Sequence, residues 1–323
     1  MEKITHYFAS ANTGTGFKNH FEYINSKLKK SYLFILKGGP GTGKSTLLKT
    51  VANHFIALGE SVELIHCSSD LNSLDGVHLI ERNIAIVDGT APHITETTLP
   101  NVLEEIIDLG VFIKDDVKEN KKKMLKNLEM KKRCYIIANN YLNSANKIFQ
   151  NKLILENSSK EFKPKISKFI KDLNLKNQHT KSETRYLFLG SFTSDGIKFL
   201  PNSYKEIYLD LPYLNADKFL KELISKLEKL HYNLIAIPNL FDTKYIDSVI
   251  IPALNLKITS NNIYNSKDKN LDLMLNNLIL LSGSEIEKAI EYHKQVEKYY
   301  IKNMDFKGIN ELTNRLINKI QTL

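Results

Sequence analysis

The sequence predicts an α/β protein with a doubly wound parallel sheet, and three observations carry this prediction. The apolar run 32–37 ends in glycines and is followed by apolar residues at helical spacing over 45–58. Two more short runs, 62–67 and 84–87, are rich in β-branched residues and end in polar segments. Strands and helices therefore alternate along the chain, and this alternation favours parallel pairing through helical crossovers.

The pattern changes after these strands. From about residue 99 to 175 the chain carries long, lysine-rich segments of helical periodicity, with few glycines and no clear strand signal. We expect a helical insertion or arm over 99–183, between a first unit at 1–98 and a second α/β unit at 184–323 that ends in helices. Within the second unit, Ser284–Glu287 reads as a capping box that starts a helix running through Tyr299.

The second unit resembles the first. Segment 185–196 echoes segment 6–16, and at a constant offset of 172 residues Pro40 aligns with Pro212 and Asp70 with Asp242. Apolar strand positions coincide over roughly 60 residues, which favours an internal duplication. Two unrelated α/β stretches that share period and composition are the alternative.

Composition limits the possible classes of protein. Of the 323 residues, 42% are hydrophobic and 25% are charged, values typical of a soluble globular protein. No apolar run approaches the ~18 residues of a membrane span, so we expect no membrane partner. The two cysteines, Cys67 and Cys134, form no Cys-x-x-Cys pair, so a zinc cage and a disulfide framework are both excluded. We expect a cytoplasmic protein.

The formal net charge of +9 raises the question of nucleic-acid binding. The excess is nearly all lysine, whereas arginine is the residue that reads phosphates and bases by bidentate contacts. We therefore do not expect nucleic acid as the main partner, although the lysine-rich arm leaves that possibility open. The arginines are Arg82, Arg133, Arg185 and Arg315.

The strongest chemical signal lies between the first strand and the first helix. The sequence there satisfies the phosphate-loop pattern Gly-x4-Gly-Lys-[Ser/Thr] in the required strand–loop–helix context. Glycines let backbone N–H groups close around phosphate oxygens, and the following helix presents its positive end to the anion. We expect Lys44 to reach the β- and γ-phosphates and Ser45 to bind Mg²⁺. The predicted nucleotide-binding residues are Gly38, Gly39, Pro40, Gly41, Thr42, Gly43, Lys44, Ser45 and Thr46.

A phosphate loop needs a second metal anchor, normally an aspartate at the end of a neighbouring apolar strand. Asp88 ends the run 84–87 and is the preferred candidate, with Asp70 as its competitor. Asp70 could equally cap the segment that follows it. His93 follows Asp88 closely, as a phosphate sensor, a general base or merely a loop histidine. Lys44, Asp88 and His93 are thus the candidate catalytic residues.

The second unit carries no working phosphate loop. The positions that align with 38–45 are Asp210–Asp217, where an alanine replaces the lysine and bulky side chains replace the glycines. We therefore expect one nucleotide site in the chain.

The sequence resembles a family of bacterial ATPases with two P-loop units in tandem, a family without an established substrate. The resemblance implies the tandem α/β architecture over nearly the whole chain. Members often keep a phosphate loop in the second unit, and this chain departs from them there. The matching stretches are Phe8–Ala11, Lys37–Leu48, Asp88–His93, Glu105–Gly110, Ile250–Pro252 with Ile258–Ser260, and Glu297–Ile301 with Asn303–Phe306.

These observations lead to a functional hypothesis: an ATP-binding, Mg²⁺-dependent NTPase that hydrolyses ATP in its first unit. The GTPase motif Asn-Lys-x-Asp is absent, which favours ATP. A small-molecule or nucleotide kinase is the first alternative, although such kinases clamp phosphates with several arginines. The second is a nucleotide-gated switch whose lysine-rich arm holds a partner, since no glutamate adjoins Asp88 to polarise water. The acceptor or protein partner is not identified by the sequence.

Overall fold

The first half of the chain forms a mixed sheet flanked by helices. The computed structural model describes residues 3–24, 32–154, 163–173, 175–178, 182–260 and 269–323. Part of the predicted arm, 155–162, therefore lies outside the described residues. The first-half strands and helices are β1 (Ile4–Tyr7), β2 (Ser10–Thr13), β3 (Gly16–Asn19), β4 (Tyr32–Lys37), α1 (Lys44–Ala57), β5 (Val62–His66), β6 (Leu74–Leu79), β7 (Ile84–Asp88), β8 (Glu104–Asp108), α2 (Lys121–Ile154) and α3 (Lys163–Asp172).

The second half repeats this series of elements. It contains β9 (Thr184–Tyr186), β10 (Gly190–Thr193), β11 (Gly196–Phe199), β12 (Lys205–Leu209), α4 (Tyr213–Lys229), β13 (Leu234–Pro238), β14 (Ile246–Ile251), β15 (Leu256–Ser260), α5 (Lys269–Ile301) and α6 (Phe306–Thr322). The α/β class predicted from the sequence is confirmed. None of the helices in the described residues has the length and apolar composition that a membrane span requires.

The sheets are mixed rather than purely parallel. The first has the order β1-β5-β6-β7-β4-β8, in which β6 pairs antiparallel with both β5 and β7 while the other pairs are parallel. The expectation of an all-parallel sheet was wrong at β6. The segments 67–73 and 80–83 that connect β6 to its neighbours are too short for a crossover helix, so the chain must reverse there.

The second sheet has the order β12-β15-β14-β13-β9, which matches the first sheet without β8. The registers match as well. Ile65 faces Gly76 in the first sheet and Ile237 faces Ser248 in the second, each followed at once by an irregularity in the pairing. These pairs are related by the offset of 172, and such agreement in order, direction and register is what a tandem duplication produces. We call β1 to α3 the first repeat and β9 to α6 the second.

The two repeats meet at a pair of equivalent phenylalanines. Phe8 and Phe188 exchange two backbone hydrogen bonds of 2.9 Å, and each precedes a short antiparallel hairpin, β2-β3 or β10-β11. Both rings are fully buried. A contact between equivalent residues is the hallmark of a two-fold relation, here between the halves of one chain.

Two long helices, α2 and α5, pack antiparallel across the molecule and form what we call the helix pair. Lys131 lies beside His293 and Lys152 beside Asp272, so α5 numbering falls as α2 numbering rises. The capping box predicted at 284–287 was wrong, because α5 is continuous from residue 269. Gly283 instead lets the helix touch the hairpin, since a Cβ there would lie 2.5 Å from the Ser194 carbonyl oxygen.

The last helix of each repeat packs on the other repeat. Leu316, Ile317 and Ile320 of α6 belong to the core formed by α1 and the first sheet, and Ile166 of α3 belongs to the core of α4 and the second sheet. Two features thus differ from the sequence-based outline. Strand β8 occurs within the segment predicted to be wholly helical, and the C-terminal helix covers the first unit rather than the second.

Candidate functional site

The predicted phosphate loop (Gly38–Ser45) joins the central strand β4 to helix α1. Gly41 and Gly43 adopt left-handed backbone conformations, with φ of 73° and 90°. A side chain would be strained at either position, which explains why glycine is needed there. Gly43 is also the residue from which α1 begins, so the free N–H groups of the first helical turn open onto the loop.

Lys44 is folded back onto its own loop. Its ammonium donates hydrogen bonds to the carbonyl oxygens of Gly38, at 2.7 Å, and Gly39, at 2.9 Å. The same nitrogen lies 3.6 Å from a carboxylate oxygen of Asp88. Asp88 ends β7 and pairs with Leu36, near the end of the parallel strand β4. Asp88 therefore lies at the same sheet edge as the loop that follows β4 and carries Lys44. The structure therefore brings Lys44 and Asp88 together.

The Asp88 carboxylate is partly satisfied by its own loop. One oxygen accepts hydrogen bonds from the backbone N–H and the hydroxyl of Thr90, at 2.9 and 2.6 Å. Burial raises the pKa of Asp88, and this effect exceeds the opposing influence of Lys44 and Thr90. A buried carboxylate held beside a single lysine is electrostatically suited to receive a cation.

Ser45 points to the start of β6, and there the structure adds a residue that sequence reasoning missed. The Ser45 hydroxyl accepts the backbone N–H of Leu74 at 2.9 Å. The next residue, Asp75, is only 7% exposed and has a buried carboxylate oxygen without a hydrogen-bond partner among the described residues. The available signal was the offset of 172 residues between the repeats, which aligns Asp75 with Asp247.

His93 lies against Asp75 rather than Lys44. Its Nε2 is 3.3 Å from the Asp75 carboxylate, and its ring contacts those of Phe17 and Phe21, with centroids 5.8 and 4.6 Å apart. Its buried Nδ1 has no hydrogen-bond partner within the described part of the chain. His93 is therefore placed to orient Asp75, and the three roles that the sequence suggested for it stay untested.

The remaining predicted residues are the alternative metal ligand Asp70 and three residues of the predicted nucleotide-binding segment. Asp70 is exposed and caps its own turn, accepting the backbone N–H of Asn72 and the hydroxyl of Ser73. Thr42 is buried and donates to the Gly39 carbonyl, so it stabilises the loop from within. Pro40 is partly buried in the loop, and Thr46 is exposed on α1. Asp70 thus has a structural task, and its proposed metal role stays a prediction.

The helix pair lies over the phosphate loop, which sequence reasoning did not foresee. A Cβ at Gly39 would lie 2.9 Å from the ring of Tyr300, and one at Gly41 would lie 2.9 Å from the Glu297 carbonyl oxygen. Both contacting residues belong to α5 of the second repeat. Four residues before Glu297 on α5, His293 has its Nδ1 2.8 Å from the ammonium of Lys131, which lies on α2. No sequence signal could have placed these distant residues at the loop.

Burial perturbs the titration of this cluster. Burial, with a smaller effect of Lys44, lowers the pKa of Lys131. Burial, together with Lys131 and Lys44, lowers the pKa of His293 to about 4. The imidazole is therefore neutral at pH 7, and its Nδ1 can accept an N–H from Lys131. Burial raises the pKa of Glu297, whose carboxylate is 3.5 Å from His293 Nε2.

The donor set fits Mg²⁺ but not a transition metal held by protein alone. No group of three or more His, Cys, Asp or Glu side chains suited to a metal occurs among the residues described. A serine hydroxyl and one or two carboxylates are the oxygen donors that Mg²⁺ takes when nucleotide phosphates and waters complete its shell. Ser45 follows Lys44, which is 3.6 Å from Asp88, so Ser45 and Asp88 would supply such oxygens. Asp75 would be a further oxygen ligand, through the carboxylate oxygen that makes no hydrogen bond among the described residues and lies 3.3 Å from His93 Nε2.

The equivalent position in the second repeat is internally satisfied. Asp217 stands where the first repeat has Ser45, and it accepts the backbone N–H of Ile246 at 2.8 Å, as Ser45 accepts that of Leu74. Ala216 replaces the lysine. Asp247, the counterpart of Asp75, accepts from Tyr213 and Asn239. The second repeat keeps the scaffold of the site and fills its polar positions with internal partners.

One comparison with known proteins gave a match. The family model of nephrocystin 3, N-terminal, matches residues 12–139. The matched part begins in β2, includes the phosphate loop and ends within α2. It covers less than half of the chain and lies in the first repeat. No curated protein and no solved structure matches the chain.

Proposed function

We propose that the protein is a P-loop NTPase that binds ATP with Mg²⁺ in the first repeat and hydrolyses it. The observation that carries the proposal is the position of Lys44. Its ammonium lies at the mouth of a glycine loop, bonded to the loop carbonyls and 3.6 Å from the Asp88 carboxylate. A lysine held by neutral carbonyls can exchange them for phosphate oxygens, and such charge-assisted bonds are about twice as strong as neutral ones.

Different residues of the chain would bind the phosphates, stabilise the developing charge and hold the metal. The loop N–H groups and the start of α1 bind the phosphates, and Lys44 stabilises the charge that develops on the transferred phosphoryl group. Ser45 and Asp88 would hold the metal, which would neutralise negative charge on the phosphates. Asp75, oriented by His93, lies at the same sheet edge. The tandem architecture also supports the resemblance to bacterial tandem P-loop ATPases.

Calorimetric titration with ATP and Mg²⁺ tests the proposal. We expect one site per chain, because among the residues that the structure describes only the loop of the first repeat combines left-handed glycines with a lysine. Lys44→Ala should abolish most of the affinity and the ATP turnover. Lys49→Ala, an exposed lysine on the same helix, is the matched control and should change neither. Unchanged ATP binding in folded Lys44→Ala protein would refute the assignment, and a stoichiometry of two would refute the single site.

A nucleotide-gated binding module is the second candidate, and one observation favours it. Tyr300 and Glu297 of α5 contact Gly39 and Gly41 of the loop. A nucleotide that binds the loop would therefore affect the packing of α5. Phosphates bound in the loop would shift Gly39 and Gly41 against α5. A turnover number far below ~1 s⁻¹, with an ATP-dependent change in hydrogen exchange of α5, would identify this mode.

A further inference from the structure

The face of α2 that carries Lys131 packs near the sheet edge at which Lys44 and Asp88 meet. Four residues after Lys131, Tyr135 lies on the same helical face. Its hydroxyl is 2.8 Å from the hydroxyl of Ser69, which follows the carboxyl end of β5. In an open α/β sheet, ligands gather at the carboxyl ends of the strands. The position of α2 therefore brings Lys131 to the edge where Lys44 and Asp88 meet.

Lys131 is a partly buried cation, and the nearby carboxylate of Glu297 acts on it only from beyond ion-pair distance. No carboxylate of the residues described lies within 4.0 Å of its ammonium. Within the described part of the chain, its hydrogen-bond partner is the neutral Nδ1 of His293. Arg133, two residues on and well exposed, has Glu129 at 2.5 Å. Removing a charge from water is costly unless an opposite charge compensates. A bound anion beside Lys131 would therefore lower the free energy of this side chain.

Helix α5 connects Lys131 to the phosphate loop that carries Lys44. A series of contacts connects the loop to Lys131. Gly41 packs against the Glu297 backbone, the Glu297 carboxylate is 3.5 Å from His293, and His293 binds Lys131. Lys44 is close enough to act on the titration of both His293 and Lys131. Two like charges near one another are stabilised by an anion between them.

We propose that Lys131 binds the terminal phosphate of ATP and that His293 positions it, so that one helix from each repeat completes the phosphate site. This inference rests on the function proposed above. The loop and Lys44 also contact the β-phosphate, which ATP and ADP share, whereas Lys131 would contact only the γ-phosphate. His293 acts as the acceptor that fixes the Lys131 side chain in the absence of a carboxylate. The second repeat thereby takes part in distinguishing ATP from ADP.

The test is the ratio of ATP to ADP affinity, measured by calorimetry on the full chain. A charged hydrogen bond to one phosphate corresponds to a change of about tenfold to a hundredfold in affinity. We expect Lys131→Met to lose this factor for ATP and to leave ADP binding unchanged. Lys132→Met is the matched control, because Lys132 is the exposed neighbour on α2. It should leave both affinities as they are.

The role of His293 is tested by a pair of variants. His293→Gln keeps an acceptor for Lys131 and should retain the ATP preference, whereas His293→Leu removes the acceptor and should lose most of it. A Lys131→Met protein with an unchanged ATP to ADP ratio would overturn the inference, as would an equal loss for both nucleotides. If wild-type protein binds neither nucleotide, the proposed function itself fails. Those outcomes are distinct, because the first two require nucleotide binding by the wild type.

Discussion

Breaking the buried ion pair between Glu63 and Arg185 should destabilise the protein, because it would leave one buried charge unpaired where the two repeats meet. Glu63 lies on β5 and is 4% exposed, and Arg185 lies on β9. The guanidinium donates two hydrogen bonds to the carboxylate, at 2.8 and 2.5 Å, and His78 contacts the same group at 2.7 Å. Burial would raise the pKa of Glu63, but Arg185 and His78 outweigh burial and hold it well below its usual value.

Glu63→Gln keeps the shape of the side chain and leaves Arg185 buried without its counter-charge. Breaking a buried pair in this way costs about 3 to 5 kcal/mol. At about 2.1 cal/mol/K per residue, the unfolding entropy of a 323-residue chain is roughly 0.7 kcal/mol/K. If both repeats unfold together, the melting temperature should fall by about 4 to 7 °C. Replacing both partners by leucine should cost far less, since no charge is left unpaired.

Urea and thermal unfolding at pH 7 would measure the two single variants, Glu63→Gln and Arg185→Leu, and the double-leucine variant. The double variant should be more stable than either single one. Single variants that lose less than ~1 kcal/mol would show that water or rearrangement satisfies the pair, and the reasoning would fail. A double variant as unstable as the sum of the singles would also refute it, because the two residues would then act independently.

Three further predictions concern the loop, the metal and pH. Asp88→Asn should abolish Mg²⁺-dependent hydrolysis while Asp70→Asn retains it, because only Asp88 approaches Lys44; the reverse result in Mg²⁺ titrations would move the metal site. Gly41→Ala should weaken ATP binding more than Gly16→Ala, since both have positive φ but only Gly41 contacts α5; equal affinities by calorimetry would contradict this. Ionised Glu63 stabilises the fold fully above its unfolded pKa near ~4.3 and progressively less below it, so acid titrations should destabilise wild type more than Glu63→Gln.

Local patterns predicted the parts of the fold that local chemistry determines. The strand at 32–37 was predicted with its observed bounds, and α1 was predicted to within one residue at each end. Apolar alternation, glycines and the loop motif all act over a few residues, so sequence is sufficient there. Asp88 was placed beside the loop because parallel strands end at the same sheet edge, and the structure has Asp88 paired with Leu36.

The rest depended on partners far away in sequence. Strand β6 was missed because Asp75, Gly76 and His78 interrupt its apolar pattern, and the antiparallel pairing followed from that omission. The cluster of Lys131 and His293 arises from the packing of α2 on α5, which no short window records. The duplication was visible, yet the packing of α6 on α1 was not, because helix amphipathicity shows that a face is buried but not what covers it.

The exchange of terminal helices between the repeats determines when the first repeat can finish folding during synthesis. Helix α1 ends at residue 57, but α6, which covers it, ends at residue 322. At about 5 to 20 residues per second, translation of the intervening chain takes on the order of ten to fifty seconds. Throughout that time α1 can pack on the first sheet, but the part of this core that Leu316, Ile317 and Ile320 cover lacks its partner. The first core to be translated therefore closes only after the strands of the second repeat have been made.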